Sequence, residues 1–187
     1  SVAVQVIRQA EQRGKRFVFR SAASFVKAYS DIAEQPLLTQ DNLIPYLADG
    51  PLLTIVGSYT DNTTRQLTEL LKNPNIAPVE LSILALLDNE QVAIGQVVAA
   101  CDVAVQDGLQ PVVYTSREIH HGTLSEDKLA LSRRISGALS SIVQLFPYRP
   151  RAVIAKGGIT SSDVITKGLE IQQAFVLGQI RPNIPLI

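Results

Sequence analysis

The strongest constraint on the fold is an alternation of short apolar runs with longer amphipathic stretches that begins at Leu52. Neighbouring parallel strands need long crossover connections, which are usually helices, so strands and helices alternate along such a chain. The pattern therefore predicts an α/β domain in which helices cover a parallel sheet. Four runs are the predicted strands: Leu52 to Val56, Val79 to Ile83, Val112 to Thr115 and Ala152 to Ala155.

The stretches between these runs repeat apolar residues at the spacing of one helix face. Ser125 is the expected N-cap of the third helix, and Gly168 the expected left-handed C-cap of the fourth. Four helices are predicted: one carrying Leu67, Leu70 and Leu71 and ending at Asn73-Pro74, one from Ile94 to Gly108, one from about Glu126 to Phe146, and one from Thr160 to Lys167.

The first fifty residues follow a different pattern. A helix is expected up to Arg13, a strand from Arg16 to Arg20 and a helix from Ala22 to Tyr29. The proline-containing stretch from about Asp31 to Pro51 then indicates a linker, which places a domain boundary near residues 40 to 50. Residues 1–40 are accordingly assigned to the tail of one domain with its linker, and residues 50–187 to a second domain.

Composition excludes several classes of partner. The 187 residues are 46% hydrophobic, enough for a buried core, and 17 basic residues balance 17 acidic ones without a dense basic run. Nucleic acid and an anionic membrane surface are therefore poor candidates as partners. The single Cys101 lies in an apolar helical pattern and is interpreted as a core residue. No secretory leader or long apolar span is apparent, so a cytoplasmic protein is expected.

The segment Lys156-Gly157-Gly158-Ile159-Thr160 joins a predicted strand to a predicted helix. Glycines let a ligand approach the main chain, and the first amides of a helix lack intrahelical partners, so an anion is the natural occupant of such a turn. The alternative is an ordinary tight connection in which Ser161 or Ser162 caps the helix.

Three loops are expected at the carboxyl edge of the sheet, where open parallel sheets bind ligands. They begin at Gly57-Ser58, at Ser116-Arg117 and at Gly157-Gly158, and the second also carries His120-His121. Ser58 is interpreted as a hydrogen-bond partner for a phosphate or a nucleoside hydroxyl; the alternative is turn chemistry, with Asp61 or Asn62 capping the next helix. No P-loop sequence and no dinucleotide fingerprint occurs.

Other polar residues near these loops have two interpretations each. Thr160 either donates its hydroxyl to a phosphate or satisfies the first helical amides, and both can hold together. Lys156 and Arg117 either offset phosphate charge or are ordinary solvated residues. Asp163 is explained by the dipole of the helix in whose first turn it is predicted to lie, rather than by metal binding. The adjacent His120 and His121 lack the spacing of a metal pair.

Several of these segments together resemble the four-carbon acid sugar kinase family, some members of which carry a legacy name as type III effector proteins. They cover nearly the whole chain in order. The segments are Phe19 to Phe25, Val56 to Tyr59, Tyr114 to Arg117, Lys156 to Val164, and Lys167 through Gly178 to Pro185.

The resemblance implies an ATP-dependent kinase that transfers a phosphoryl group to a hydroxyl of a small four-carbon acid sugar such as threonate or erythronate, with Mg²⁺ on the ATP. It implies that Ser58, Gly157, Gly158, Ile159 and Thr160 contact ATP. It also implies that residues 50–187 are the nucleotide-binding domain and residues 1–40 the tail of an amino-terminal acceptor domain.

The resemblance further implies what this sequence lacks. The acidic Asp-Asp-x-Thr-Gly motif of the family's amino-terminal domain does not occur, and the family's last glycine-containing segment would follow Ile187. We therefore expect a piece of a longer protein, with its catalytic base elsewhere. The alternative function is a non-catalytic, regulatory nucleotide- or metabolite-binding module. Whether the chain forms a homo-oligomer stays open.

Overall fold

The computed structural model describes residues 2–46, 48–117, 128–182 and 184–187. The chain divides into two compact units, one of Ser1–Asn42 with Phe175–Ile187 and the other of Leu43–Ala174. The predicted domain limits, 1–40 and 50–187, stay a prediction.

The elements are numbered along the chain. The helices are α1 (Val2–Gln12), α2 (Ala23–Tyr29), α3 (Gln40–Leu43), α4 (Asp61–Leu70), α5 (Ile83–Asp88), α6 (Glu90–Gln106), α7 (Lys128–Leu145) and α8 (Gly158–Asp163). The strands are β1 (Leu52–Val56), β2 (Ile76–Leu81), β3 (Gln110–Thr115), β4 (Ala152–Lys156), β5 (Gly178–Arg181) and β6 (Ile184–Leu186). A 3₁₀ turn at Ile44–Tyr46 follows α3, and a π-helical turn at Val164–Gly168 continues α8.

The larger unit contains a four-stranded parallel sheet in the order β2-β3-β1-β4. The predicted α/β class is thereby confirmed. The second strand lies earlier than predicted, because Ser82 accepts a hydrogen bond from the Ala85 amide and so begins α5 at Ile83. A hydroxyl at this N-cap position outweighs the β propensity of the isoleucine that follows it.

Helices cover both faces of this sheet. Alternate residues of β1 point to opposite faces, so Leu53 and Ile55 join the core beneath α5, α6 and α7, while Val56 packs with Leu67 of α4. Cys101 of α6 is buried in the first core, as predicted, and burial raises the pKa of its thiol to about 12. No helix in the described part of the chain has the length and apolarity needed to cross a bilayer.

Predicted helix ends were less accurate than the helices themselves. The fourth predicted helix begins at Gly158 rather than Thr160, and Gly168 is not its left-handed C-cap. Instead Glu170 has the positive φ of 55° beyond the π turn. The glycine serves close packing, since a Cβ on Gly168 would lie 3.1 Å from Val143 of α7. Ser125, the predicted cap of the third helix, lies outside the described residues, as does its predicted start at Glu126.

In the smaller unit, residues 16–20 do not form the predicted strand. The apolar residues there contribute to an aromatic cluster instead: Phe19 contacts Phe25 and Tyr29 of α2, with ring centroids 5.0 and 5.2 Å apart. Tyr29 donates to Glu11 of α1 at 2.6 Å. Phe17 and Phe19 are stacked on each other, with ring centroids 5.9 Å apart, so these two residues take part in side-chain stacking rather than in strand pairing. The antiparallel pair of β5 and β6, which pattern analysis missed, completes this unit.

Candidate functional site

A pocket of about 200 Å³ lies at the carboxyl edge of the sheet in the larger unit. Two turns and one helix form it: the turn after β1, the turn from β4 into α8, and the first half of α7. Its lining residues are Gly57, Ser58, Tyr59, Ser132, Ile135, Ser136, Gly157, Gly158, Ile159 and Thr160.

The strand order explains why these turns meet. β1 and β4 are hydrogen-bonded neighbours with Val56 opposite Lys156, and the Gly57 amide donates to the Lys156 carbonyl at 3.2 Å. From this edge β1 leads into α4 on one face, whereas α8 packs against α7 on the other. Ligand sites of open α/β sheets form where successive connections diverge in this way. The predicted convergence of the first and last loops is observed.

Two glycines allow the turns to approach closely. Gly157 has a φ of 122°, a conformation that residues with a Cβ rarely adopt. A Cβ on Gly57 would collide with the hydroxyl of Thr160, which is itself buried. Gly158 differs, because a Cβ there would meet no other atom within 4 Å. Gly158 therefore borders open space at the pocket, while the other two glycines serve the packing of the turns.

The start of α8 leaves backbone donors beside the pocket. The first helical hydrogen bond runs from the Ser161 amide to the Gly157 carbonyl at 2.8 Å, and Gly157 offers no side-chain cap. The amides of Gly158, Ile159 and Thr160 thus precede the helical ladder, as the first amides of a helix do. The alternative in which Ser161 or Ser162 caps the helix is wrong, because Gly157 holds the N-cap position and the Ser161 hydroxyl donates backwards to the Ala155 carbonyl.

Ser58 belongs to a chain of hydroxyl groups at the other side of the pocket. Thr60 Oγ1 donates to Thr63 Oγ1 at 3.1 Å, and Thr63 Oγ1 donates to Ser58 Oγ at 3.1 Å. Thr60 is also the N-cap of α4, so the alternative in which Asp61 or Asn62 caps this helix is wrong. The position directly before the helix lets the threonine oxygen reach the Thr63 amide, a geometry that residues inside the first turn do not have.

The charged candidates lie around the pocket rather than in its lining. Lys156 is exposed at the end of β4. Arg117 follows β3 and donates from Nη1 to the Ser58 carbonyl at 2.6 Å, which ties the second predicted loop to the first. Burial lowers the pKa of Arg117. His120 and His121 lie outside the described residues.

Pattern analysis missed the contribution of α7, which places Ser132, Ile135 and Ser136 in the lining. Ser136 is buried and donates to Asp163 Oδ2 at 2.5 Å, and Lys167 pairs with Asp163 Oδ1 at 2.9 Å. The signal available in the sequence was the four-residue spacing of Ser132 and Ser136, which puts two small polar residues on one helix face.

Asp163 does not have the position that was predicted for it. It is the last residue of α8 rather than part of its first turn, so the helix-dipole interpretation is wrong. The hydrogen bond from Ser136, followed by that from Lys167, lowers the pKa of Asp163. Its role in the structure is to join α8 to α7 behind the pocket.

The helix-covered parallel sheet, with a glycine-lined pocket at its carboxyl edge, has the architecture of a nucleotide-binding α/β domain. The chain belongs to the family described as nucleotide-binding C-terminal domains, whose family model matches residues 53–187. No curated protein sequence matches the chain significantly. The match covers both turns of the pocket and the α7 serines.

Proposed function

We propose that this chain binds ATP at the pocket formed by Ser58, Gly157, Gly158, Ile159 and Thr160. The observation that carries the proposal is the meeting of the α8 amides with the Ser58 hydroxyl at one pocket, inside the segment matched by the nucleotide-binding family. Helix amides and hydroxyl donors are the groups that bind phosphate oxygens. The open space at Gly158 gives a phosphate room to approach them.

The size of the pocket favours binding of only part of the nucleotide within it. Its volume of about 200 Å³ is below the roughly 300–1,000 Å³ usual for sites that enclose a small molecule. We assign this volume to the phosphate end of ATP, since the donors are concentrated there.

Among the residues that the structure describes, the lining offers hydroxyls and amides but no carboxylate. Such a lining suits a magnesium ion that is already bound to the phosphates of ATP, because Mg²⁺ in such sites keeps several waters and is bound largely by the substrate phosphates. Ser58 and Thr160 would supply the protein oxygens closest to it. Bound magnesium would offset the phosphate charge, since the described part of the lining contains no cationic side chain.

We propose further that the protein is an ATP-dependent kinase of small four-carbon acid sugars, of the threonate or erythronate type, acting in the cytoplasm. The support is the family match together with the resemblance carried by the segments around Phe19, Ser58, Arg117 and Gly157. Phosphoryl transfer requires the protein mainly to hold the phosphates and to stabilise their charge, which the pocket donors suit. The acceptor site and the catalytic base stay unassigned.

Titration calorimetry of the chain with Mg-ATP tests the binding step. Gly158→Val is the informative variant, because its Cβ meets no other atom within 4 Å and its side chain should block a phosphate. Gly95→Val on α6 is the matched control, since a Cβ there also meets nothing within 4 Å and lies outside the pocket. We expect saturable binding by the wild type and by the control, and loss of binding in Gly158→Val.

Equal binding by all three proteins would show that the nucleotide binds outside this pocket. Absence of binding by the wild type would contradict the proposal for this chain. The kinase step is tested separately, by ADP release with threonate or erythronate as acceptor. Binding without acceptor-dependent ADP release, from the chain and from any longer form of the protein, would favour the non-catalytic module.

A further inference from the structure

Ser58 is held from two sides by residues that do not line the pocket. Thr63 of α4 donates to its hydroxyl oxygen at 3.1 Å, and Arg117 after β3 donates to its carbonyl oxygen at 2.6 Å. One contact acts on the side chain and the other on the main chain. Together they restrict both the peptide and the hydroxyl of the residue that occupies the β1 side of the pocket.

The direction of the hydrogen bonds among the hydroxyls of Thr60, Thr63 and Ser58 determines which hydrogen bonds Ser58 can still make. Thr60 donates to Thr63, and Thr63 uses its own proton to donate to Ser58 Oγ. One lone pair of the Ser58 oxygen is therefore occupied by the threonine proton. The Ser58 proton is left to point elsewhere, and the contact with Thr60 at 3.5 Å is too long to be strong. Ser58 can thus donate its proton to a ligand while it accepts a hydrogen bond from Thr63.

The Arg117 guanidinium contacts the Ser58 carbonyl through one of its three nitrogens, Nη1. Nε and Nη2 are buried and have no hydrogen-bond partner within the described part of the chain, and the guanidinium carbon lies 5.8 Å from the centroid of the Tyr114 ring. Leaving charged donors unpaired is unfavourable, so the position of this side chain needs an explanation. Its charge lies directly behind the turn that carries Ser58, where it adds positive potential without entering the pocket.

We propose that Thr63 and Arg117 are positioning residues that hold the Ser58 hydroxyl as a hydrogen-bond donor to an acceptor oxygen of the bound nucleotide. The inference rests on the proposed nucleotide site. Both residues act on the ligand through Ser58. Neither residue lines the pocket that holds the Ser58 hydroxyl.

A double-mutant cycle tests this claim, with Mg-ATP affinity from calorimetry as the readout. Thr63→Val keeps the branched shape of a buried side chain and removes its hydroxyl; Thr68→Val, on the exposed side of the same helix, is the control. We expect Thr63→Val to weaken binding by up to about tenfold, because a Ser58 hydroxyl that is no longer held loses much of its hydrogen bond to the ligand, and Thr68→Val to leave binding unchanged.

The decisive comparison is made in a Ser58→Ala background. If Thr63 acts through the Ser58 hydroxyl, Thr63→Val should cause little further loss once that hydroxyl is absent. Full additivity of the two losses would overturn the inference. Thermal melting of each variant separates a binding effect from unfolding, and a loss of affinity that merely follows a lower melting temperature would also overturn it.

Arg117→Gln gives an independent arm that does not disturb the helix. Arg117→Gln should weaken Mg-ATP binding, and this loss should be smaller in the Ser58→Ala background. Arg65→Gln, at an exposed site of α4, is the control. Adenosine identifies the acceptor oxygen: variants that lose ATP affinity but keep adenosine affinity place the contact on a phosphate, and equal losses place it on the ribose.

The outcomes separate this inference from the proposed function. No saturable binding of Mg-ATP by the wild type overturns both. Wild-type binding that is lost in Gly158→Val but unchanged in Thr63→Val and Arg117→Gln leaves the nucleotide site in place and overturns the positioning role alone.

Discussion

Gly57 and Thr160 are in contact so close that no side chain fits between them. A Cβ added to Gly57 would overlap the Thr160 hydroxyl and lie 2.9 Å from Leu139 Cδ1 of α7. The turn after β1, the start of α8 and the middle of α7 therefore meet at one point. The pocket is formed around this contact, so its shape depends on a glycine that need not touch the ligand.

Gly57→Ala is expected to destabilise the protein by about 1–3 kcal/mol, because buried overpacking forces the neighbouring groups to move. Urea unfolding measures the change in the free energy of unfolding. Gly158→Ala is the control from the same pocket, since its Cβ meets nothing within 4 Å and should change stability little. Equal stability of the two variants would contradict the close contact.

Asp163 should make part of the stability depend on pH. Its pKa is lowered in the folded state by Ser136 and then by Lys167, so the stabilisation is present above the unfolded pKa and is lost as pH falls through the folded pKa. We expect Asp163→Asn to lower the free energy of unfolding by about 1–3 kcal/mol near neutral pH. The difference from the wild type should shrink as urea unfolding is repeated down to about pH 3.

Lys167→Gln provides the comparison for that experiment. Lys167 is largely exposed, so its ion pair with Asp163 should contribute less than about 1 kcal/mol. A larger effect from Lys167→Gln than from Asp163→Asn would show that the Ser136 hydrogen bond is not the main contact of this carboxylate.

Replacing two helix-associated glycines by alanine should change the free energy of unfolding in opposite directions. Gly168→Ala should destabilise by about 1–3 kcal/mol, because its Cβ would lie 3.1 Å from Val143 and 3.3 Å from the Ser140 carbonyl. Gly137→Ala on α7 meets nothing within 4 Å and should stabilise by up to about 1 kcal/mol through helix propensity. Differential scanning calorimetry of both variants tests the pair, and a shift in the same direction would refute it.

The four strands and the helices α4, α6, α7 and α8 of the larger unit could be predicted from local patterns, whereas the short helix α5 was not predicted. The errors occurred where a particular contact outweighs the pattern. Ser82 begins a helix at the end of β2, Gly168 packs against α7 instead of ending a helix, and Asp163 bonds Ser136 from a neighbouring helix. Such contacts depend on which elements become neighbours, and the local pattern does not contain that information.

For the candidate site, the residue types of the two glycine turns and their places at strand ends were sufficient to predict that these turns meet at the carboxyl edge of the sheet. The α7 serines were missed, because their side chains join the pocket only once α7 crosses the sheet beside β1 and β4. The contact of Arg117 with the Ser58 carbonyl was missed for the same reason, since 59 residues separate the two in the chain.

By itself the sequence determined the α/β class and the position of the glycine turns, since hydrophobic periodicity and glycine content are local properties. The tertiary structure alone decided the strand order β2-β3-β1-β4, which makes the carboxyl ends of β1 and β4 adjacent. It also decided that Ser58 is held by Thr63 and Arg117, because hydrogen bonds depend on distances and directions that exist only after the strands have paired.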